Sequence, residues 1–370
     1  LSPCVPLAGG TIILSSCNDF LDREPLSSVT PEVYFSTTDH FEAYSIAKYN
    51  NWFSSHAGYG MGIGNGDGGT DNAVSGGYNS TLYEKGAWKV PQSGGGWSFN
   101  DIRYCNYFFE NAVPKYEAGQ VSGSAADIEH YIGEMHFMRA WIYFSYLRKF
   151  GDYPIITEVL PDDKAVLMEK SVRQPRNLVA RFILEDLDKA ISMLKGWGFA
   201  SNNRINKETA LLVKSRVALY EATFEKYHKG TGRVPGDANW PGKKVHPNFT
   251  LDVDKEVDFF LTQALEAAEQ VADKVTLTQN TGVADPETIS TTSGWNPYFE
   301  MFASLDLSKN SEVLLWRSYA KTGSYSITHG STCMGAVRKQ QRFAENLCGK
   351  LPYERWYALV CSYNFSPIHG

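Results

Sequence analysis

The sequence predicts a mainly α fold built from stacked helical hairpins, with long loops and a few short strands. Three observations predict it. Apolar residues recur at three- and four-residue steps in successive segments. Polar caps and Gly or Pro breakers punctuate those segments. The linkers between them are short, as in tetratricopeptide arrays, although the spacing is too irregular to define that repeat.

In chain order, residues 18–31 are polar, carry Pro25 and Pro31, and read as an extended leader. Thr30-Pro31-Glu32 opens a helix expected over 32–52, with Thr30 as N-cap and Pro31 in the first turn. Residues 58–96 are rich in Gly, Ser and Asn with interspersed aromatics, and read as a long functional loop or a series of short elements. Helix resumes over 97–116. The clearest helix spans 127–150, where Ile128, Tyr131, Ile132, Met135, Met138, Trp141, Ile142, Phe144, Tyr146 and Leu147 fall on one period. Gly151-Asp152-Tyr153-Pro154 stops it, and residues 154–157 are expected to be extended. Helices follow over 176–194, over 207–227 with Asn206 as N-cap, and over 254–274. A loop holding Trp240-Pro241-Gly242 separates the last two.

Composition excludes several function classes. The net charge of −6 and the absence of a basic stripe argue against nucleic acid. The six cysteines, at 4, 17, 105, 333, 348 and 361, include no C-x-x-C pair, so neither a zinc knuckle nor a redox motif is proposed. No apolar run approaches the roughly 18 residues of a membrane span. Aromatics make up 14% of the chain, enough to pack a core and leave rings for the C–H faces of sugars.

Leu14-Ser15-Ser16-Cys17 follows a small apolar stretch and has the pattern of a bacterial lipoprotein cleavage site. A thiol takes the diacylglycerol, small neighbours admit the peptidase, and further acylation of the new amine strengthens the anchor. Residues 1–16 contain neither Lys nor Arg, so they are read as the remnant of a signal peptide. Lipidation is expected at Cys17.

Four segments together resemble the SusD-like (RagB/SusD) family of outer-membrane nutrient-binding lipoproteins. The first is Cys17-Asn18-Asp19-Phe20-Leu21-Asp22-Arg23-Glu24-Pro25. The second runs Glu134-Met135-His136-Phe137-Met138-Arg139-Ala140-Trp141-Ile142-Tyr143-Phe144 and continues through Leu147 to Pro154. It is similar to the family's E-x-x-F-L-R-A-x-x-Y-F helix and its F-G-D-V-P turn. The third starts at Arg204-Ile205-Asn206-Lys207 and includes Arg216, Leu219 and Tyr220. The fourth is Asn310-Ser311-Glu312-Val313-Leu314-Leu315-Trp316, like the family's N-x-E-V-I-W strand. The resemblance implies helical pairs with loop excursions and a lipid anchor on the outward face of the outer membrane. It also implies a SusC-like, TonB-dependent transporter as partner, glycan as ligand, no cofactor and no reaction chemistry. The SusD-like region is expected over 17–335. Residues 336–370 depart from the pattern. Suitable codons for residues 345–358, read one base later, spell K-T-Y-V-E-N-Y-L-M-N-D-G-M-P, which resembles a family segment. An out-of-frame tail on a truncated chain is the expectation there.

A sugar site needs an aromatic platform plus planar hydrogen-bonding groups. Loop position and residue type select Asp67, Asp71, Asn72, Tyr78, Trp88, Trp295 and Tyr298 as glycan-binding candidates. Trp97 and Trp141 are assigned to the core. Gly64-Asn65-Gly66-Asp67-Gly68-Gly69 matches G-x-G-x-x-G but follows no apolar strand, so it is not read as a dinucleotide site. Asn65, Asp67 and Asp71 offer oxygen ligands for calcium but lack the closing Glu of an EF-hand. His130, Glu134 and the neighbouring Glu129 and His136 are read as a solvated helix face rather than a metal site. A secreted glycoside hydrolase, which needs two opposed carboxylates, and a helical interaction scaffold are the alternatives to a binder.

Overall fold

The computed structural model describes residues 34–53, 84–87, 89, 96–282, 296–304 and 306–319. Cys17, the glycine-rich stretch 64–69, the calcium ligand set, the leader and everything from residue 320 onward lie outside the described residues.

The described chain is predominantly helical. Its elements are α1 (Thr38–Ile46), α2 (Tyr49–Trp52), α3 (Asn100–Asn111), α4 (Val113–Glu117), α5 (Ala125–Phe150), α6 (Lys164–Lys170), α7 (Arg176–Met193), α8 (Lys207–His228), α9 (Val253–Ala272) and α10 (Pro297–Ala303). The single helix expected over 32–52 is instead two, broken at Ala47 and Lys48. Likewise, the helix expected from 97 starts at Asn100 and is interrupted before Pro114, whose ring cannot continue a helix interior. No strand forms among the described residues. The segment expected to be extended, 154–157, and the strand-like segment 310–316 are not assembled into a sheet, and the isolated bridges join Tyr153 to Gln174 and Thr37 to Ser122.

The caps explain where the major helices begin. The Ser124 side chain accepts the Asp127 N–H at the start of α5, Asn206 accepts the Thr209 N–H at α8, and Asp252 accepts the Lys255 N–H at α9. Gly151 ends α5 at φ 69°, a conformation that a side chain would resist.

Side-chain pairs set the order and direction of the layers. Tyr146 bonds to Ser98 and Tyr116 bonds to Glu129, at opposite ends, which makes α5 antiparallel to the α3–α4 segment. Arg139 meets Asp186 and Gly133 packs beneath Ala190, Met193 and Leu194, so α7 runs antiparallel to α5. Arg176–Glu221 and Lys214–Asp188 fix α8 against α7, and Lys229–Asp254 and Lys274–Glu208 fix α9 against α8. The result is an up-and-down array of helical hairpins, as the periodicity predicts.

Helix α5 is the hub. Ile128, Met135, Met138, Tyr143 and Leu147 are all but inaccessible to solvent. Its polar residues are buried too. His130 and Glu134 are 0% exposed and His136 is 8% exposed, so the solvated face expected for them is wrong. A helix packed on several sides has little solvent face to offer, and its charges survive there only because partners reach them. Arg139 forms a two-point pair with Asp186 (2.7 and 2.8 Å), and His136 Nδ1 lies 2.9 Å from the same carboxylate. Burial pushes the Asp186 carboxyl up, but the bonds from Arg139 and His136 outweigh it and hold it below its ordinary range.

Candidate functional site

A cleft of about 740 Å³ opens at one side of the array, between α1–α2, α5, the turn before α8 and the segment after α10. Its rings are Tyr49, Phe53, Trp141, Phe199, Trp316 and Tyr319, and its planar polar groups come from Glu42, Asn50, Asn203, Arg204 and Arg317.

The floor is a buried charge network. Glu134 is fully buried on α5. Arg204 reaches it from the residue pair preceding the α8 cap, with Nε to Oε1 at 2.9 Å and Nη2 to Oε2 at 2.5 Å. Its other donors go to Glu42 Oε1 at 3.2 Å and Ser45 Oγ at 2.9 Å on α1. Tyr49 donates its hydroxyl to Glu134 Oε1 at 2.5 Å. His130 Nδ1 accepts the Lys195 N–H, so its proton sits on Nε2, 3.2 Å from Glu134 Oε1 but without the alignment of a hydrogen bond. Burial raises the Tyr49 hydroxyl well above its ordinary pKa, and the Glu134 charge adds to it. Burial pushes Glu134 the same way, but its contacts with His130 and Arg204 win and keep it ionised. The guanidinium is thus neutralised from below and edged by Glu42, whose side chain is half exposed at the cleft. Both carboxylates, Glu42 and Glu134, pair with Arg204.

Residues 197–204 make one wall, and their backbone is unusual. Ala200 (φ 47°, ψ 37°), Ser201 (φ 53°, ψ 34°) and Asn202 (φ 60°) are successive left-handed residues. Asn tolerates that conformation, but Ala and Ser resist it by about 1–2 kcal/mol each. The surroundings enforce it. Asn202 is buried, and its side-chain oxygen accepts the Gly198 N–H at 2.7 Å.

The opposite lip is the segment 313–319, threaded between that turn and α2. The Leu314 carbonyl accepts from Asn206 Nδ2 at 2.7 Å. The Trp316 N–H goes to the Asn202 carbonyl at 3.1 Å, and its indole Nε1 goes to the Ser201 carbonyl at 2.8 Å. Arg317 bridges to α2, with Nη1 to the Phe53 carbonyl at 3.2 Å and Nη2 to Asn50 Oδ1 at 2.6 Å.

One of the seven sequence-selected candidates, Tyr298, is among the described residues. Asp67, Asp71, Asn72, Tyr78, Trp88 and Trp295 fall outside the described residues. Tyr298 sits in the first turn of α10, 39% exposed, and does not line the cleft. Trp141, assigned to the core, is half-buried and lines the cleft, with Phe137 stacked beside it (6.3 Å between ring centres) and Phe53 6.0 Å away. Trp97 packs against the core as expected, but it precedes α3 rather than lying on a helix, and it stacks on Tyr153 at 4.8 Å. Tyr49, Phe53, Asn203, Arg204, Trp316 and Arg317 were not selected by loop position. The signal for Trp316 was present: it ends the Asn310–Trp316 segment as an aromatic after a short apolar run.

No group of three His, Cys, Asp or Glu among the described residues is arranged to hold a metal ion. No described helix is long and apolar enough to cross a membrane.

No protein-family model matches the chain. No curated protein matches it either. Among solved structures, it is similar to SusD-like proteins. A SusD-like protein from Bacteroides fragilis is 24% identical, over 50% of this chain and 27% of its own, with a TM-score of 0.33. A SusD-like carbohydrate-binding protein from Bacteroides vulgatus is 16% identical, over 76% of this chain and 50% of its own, with a TM-score of 0.45. A laminarin-binding SusD-like protein is 16% identical, over 76% and 51%, with a TM-score of 0.45. The chain spans about half, or less, of the length of these structures.

Proposed function

We propose that this chain is a SusD-like glycan-binding protein: a lipoprotein, anchored through Cys17 on the outward face of the outer membrane. It captures oligo- or polysaccharide and delivers it to a SusC-like, TonB-dependent transporter. The observation that carries the binding half is the cleft. It combines ring faces from Tyr49, Phe53, Trp141, Phe199, Trp316 and Tyr319 with planar hydrogen-bonding groups from Glu42, Asn50, Asn203 and Arg317. Sugars present apolar C–H faces and vicinal hydroxyls, and these two kinds of surface recognise them. The four sequence segments that resemble the family supply the anchoring and delivery half.

A hydrolytic reading would need a second carboxyl group facing Glu42 across the cleft. Glycosidases set two carboxyl groups on opposite sides of the scissile bond. Among the described residues lining the cleft, Glu42 is the one carboxylate, and Glu134 beneath it is committed to Arg204 and Tyr49.

The test is electrophoresis of the full chain through native gels cast with a panel of polysaccharides, together with an assay for released reducing sugar. Retardation in at least one polysaccharide without sugar release is the expected result. Release of sugar contradicts the binder, and mobility unchanged by every polysaccharide contradicts glycan capture.

A further inference from the structure

In the turn at the cleft Phe199 packs against the buried His130 ring (4.4 Å between ring centres) and Asn202 is buried, whereas the left-handed Ala200 and Ser201 are exposed and bury no side chain in the core. Ala200 and Ser201 contribute their backbones to the hydrogen bonds that shape the turn: the Ala200 carbonyl accepts the Asn203 N–H at 3.0 Å, and the Ser201 N–H goes to the Gly198 carbonyl at 3.2 Å. Glycine would supply the same backbone groups in this conformation with less strain. What Cβ atoms add is stiffness, because they narrow the backbone conformations the turn can reach. Strain of this kind persists where surrounding structure over-determines it, and it gathers at ligand clamps.

What the turn stiffens is Trp316. Two successive carbonyls of the turn hold that one residue at two points. Asn202 takes its backbone N–H at 3.1 Å, and Ser201 takes its indole N–H at 2.8 Å. The first fixes where the residue sits and the second fixes how its ring is turned. Phe199 and Ala200, in the same turn, line the cleft beside it.

We propose that residues 200–202 are a positioning element that fixes the Trp316 indole as a stacking platform for a pyranose ring. This rests on the glycan reading above. A ring already held in its bound orientation loses no rotamer freedom when a sugar lands on it, and that preorganisation is worth affinity. Trp316 is the residue that touches ligand, whereas Ala200, Ser201 and Asn202 act through it.

The experiment compares the wild type with three variants: the glycine pair Ala200→Gly with Ser201→Gly, Trp316→Phe, and Trp316→Ala. Each is measured for polysaccharide retardation, for thermal midpoint, and for hydrogen exchange of the Trp316 indole N–H, whose NMR signal is assigned by its loss in Trp316→Phe. The glycine pair is expected to melt higher than wild type yet bind about three- to tenfold more weakly, with faster indole exchange. Trp316→Phe keeps a ring but loses the tether, so it weakens binding comparably at an unchanged midpoint. Trp316→Ala abolishes retardation while remaining folded.

A turn that is merely structural would not separate stability from affinity in this way. A glycine pair that binds as wild type with unchanged indole exchange overturns the positioning role. Trp316→Ala binding like wild type removes the platform and leaves the glycan reading standing. Wild type that retards in no polysaccharide overturns the glycan reading and, with it, the ligand assigned to the platform.

Discussion

At the scale of single residues, buried carboxyl groups decide how this protein responds to pH. Glu221 is matched to Arg176, and Glu256 is matched to Arg181 and Asn177. Glu225 lies among them, 0% exposed, with neither carboxyl oxygen hydrogen-bonded. Three carboxyl groups therefore face two guanidinium groups, and the third is stable only as a neutral acid. Burial first, then the charges of Glu221 and Glu256, push Glu225 up to about 9 from an ordinary 4.5. A carboxyl raised in the folded state contributes stability that is complete below the unfolded value and is lost as pH rises toward the folded one. Stability is therefore expected to fall as pH rises from the ordinary carboxylate range toward about 9. Glu225→Gln should flatten that slope in urea unfolding followed across the range, and parallel profiles for variant and wild type would contradict the assignment. Glu134 and Asp186 act in the opposite sense. Their lowered values contribute stability above the ordinary carboxylate range that is lost as acid protonates them.

At the scale of elements, the array is joined by apolar stripes and by ion pairs that cross between helices. The pair Arg139–Asp186 ties α5 to α7, with side chains 5% and 1% exposed. Arg139 also donates to Asn106 on α3 at 2.9 Å and lies over the Phe109 ring at 4.4 Å. Truncating it strands a buried carboxylate, so Arg139→Ala is expected to cost about 3–5 kcal/mol. Chemical denaturation measures this, and a loss below about 1 kcal/mol would show that the pair is dispensable. The stripes were legible in the sequence and the pairs were not. Helix α5 announces itself through its period and its Gly151 stop, whereas its Ser124 cap and first two residues emerge only from the structure. Nothing in the sequence says that Glu134 meets Arg204, 70 residues away, or that Arg176 meets Glu221, 45 residues away. Charges on a helix therefore read as a solvent face until its neighbours are in place. The break at Ala47–Lys48 was equally hidden, since it carries no Gly or Pro.

At the scale of the whole molecule, the cleft exists only because four distant stretches meet: residues 42–53, Trp141, residues 199–204 and residues 315–319. A site assembled across such separations leaves no local signature, and of the residues selected by loop composition only Tyr298 is among those the structure describes. The family resemblance was legible for a different reason. Part of its second segment, Glu134 and Arg139, consists of residues committed to buried pairs, which a change of either partner would leave unmatched. The array thus supplies rigidity, the Glu134–Arg204 network anchors the cleft floor, and the left-handed turn and Trp316 complete its rim. A glycan docked in this cleft would cover the turn at 199–204 and the segment at 314–319. Hydrogen–deuterium exchange of the full chain, with and without an oligosaccharide of the retarding polysaccharide, tests this most directly. Slowed exchange at 199–204 and 314–319 is the expected result, while protection confined to residues 58–96 or to the neighbourhood of Tyr298 would contradict docking in the cleft.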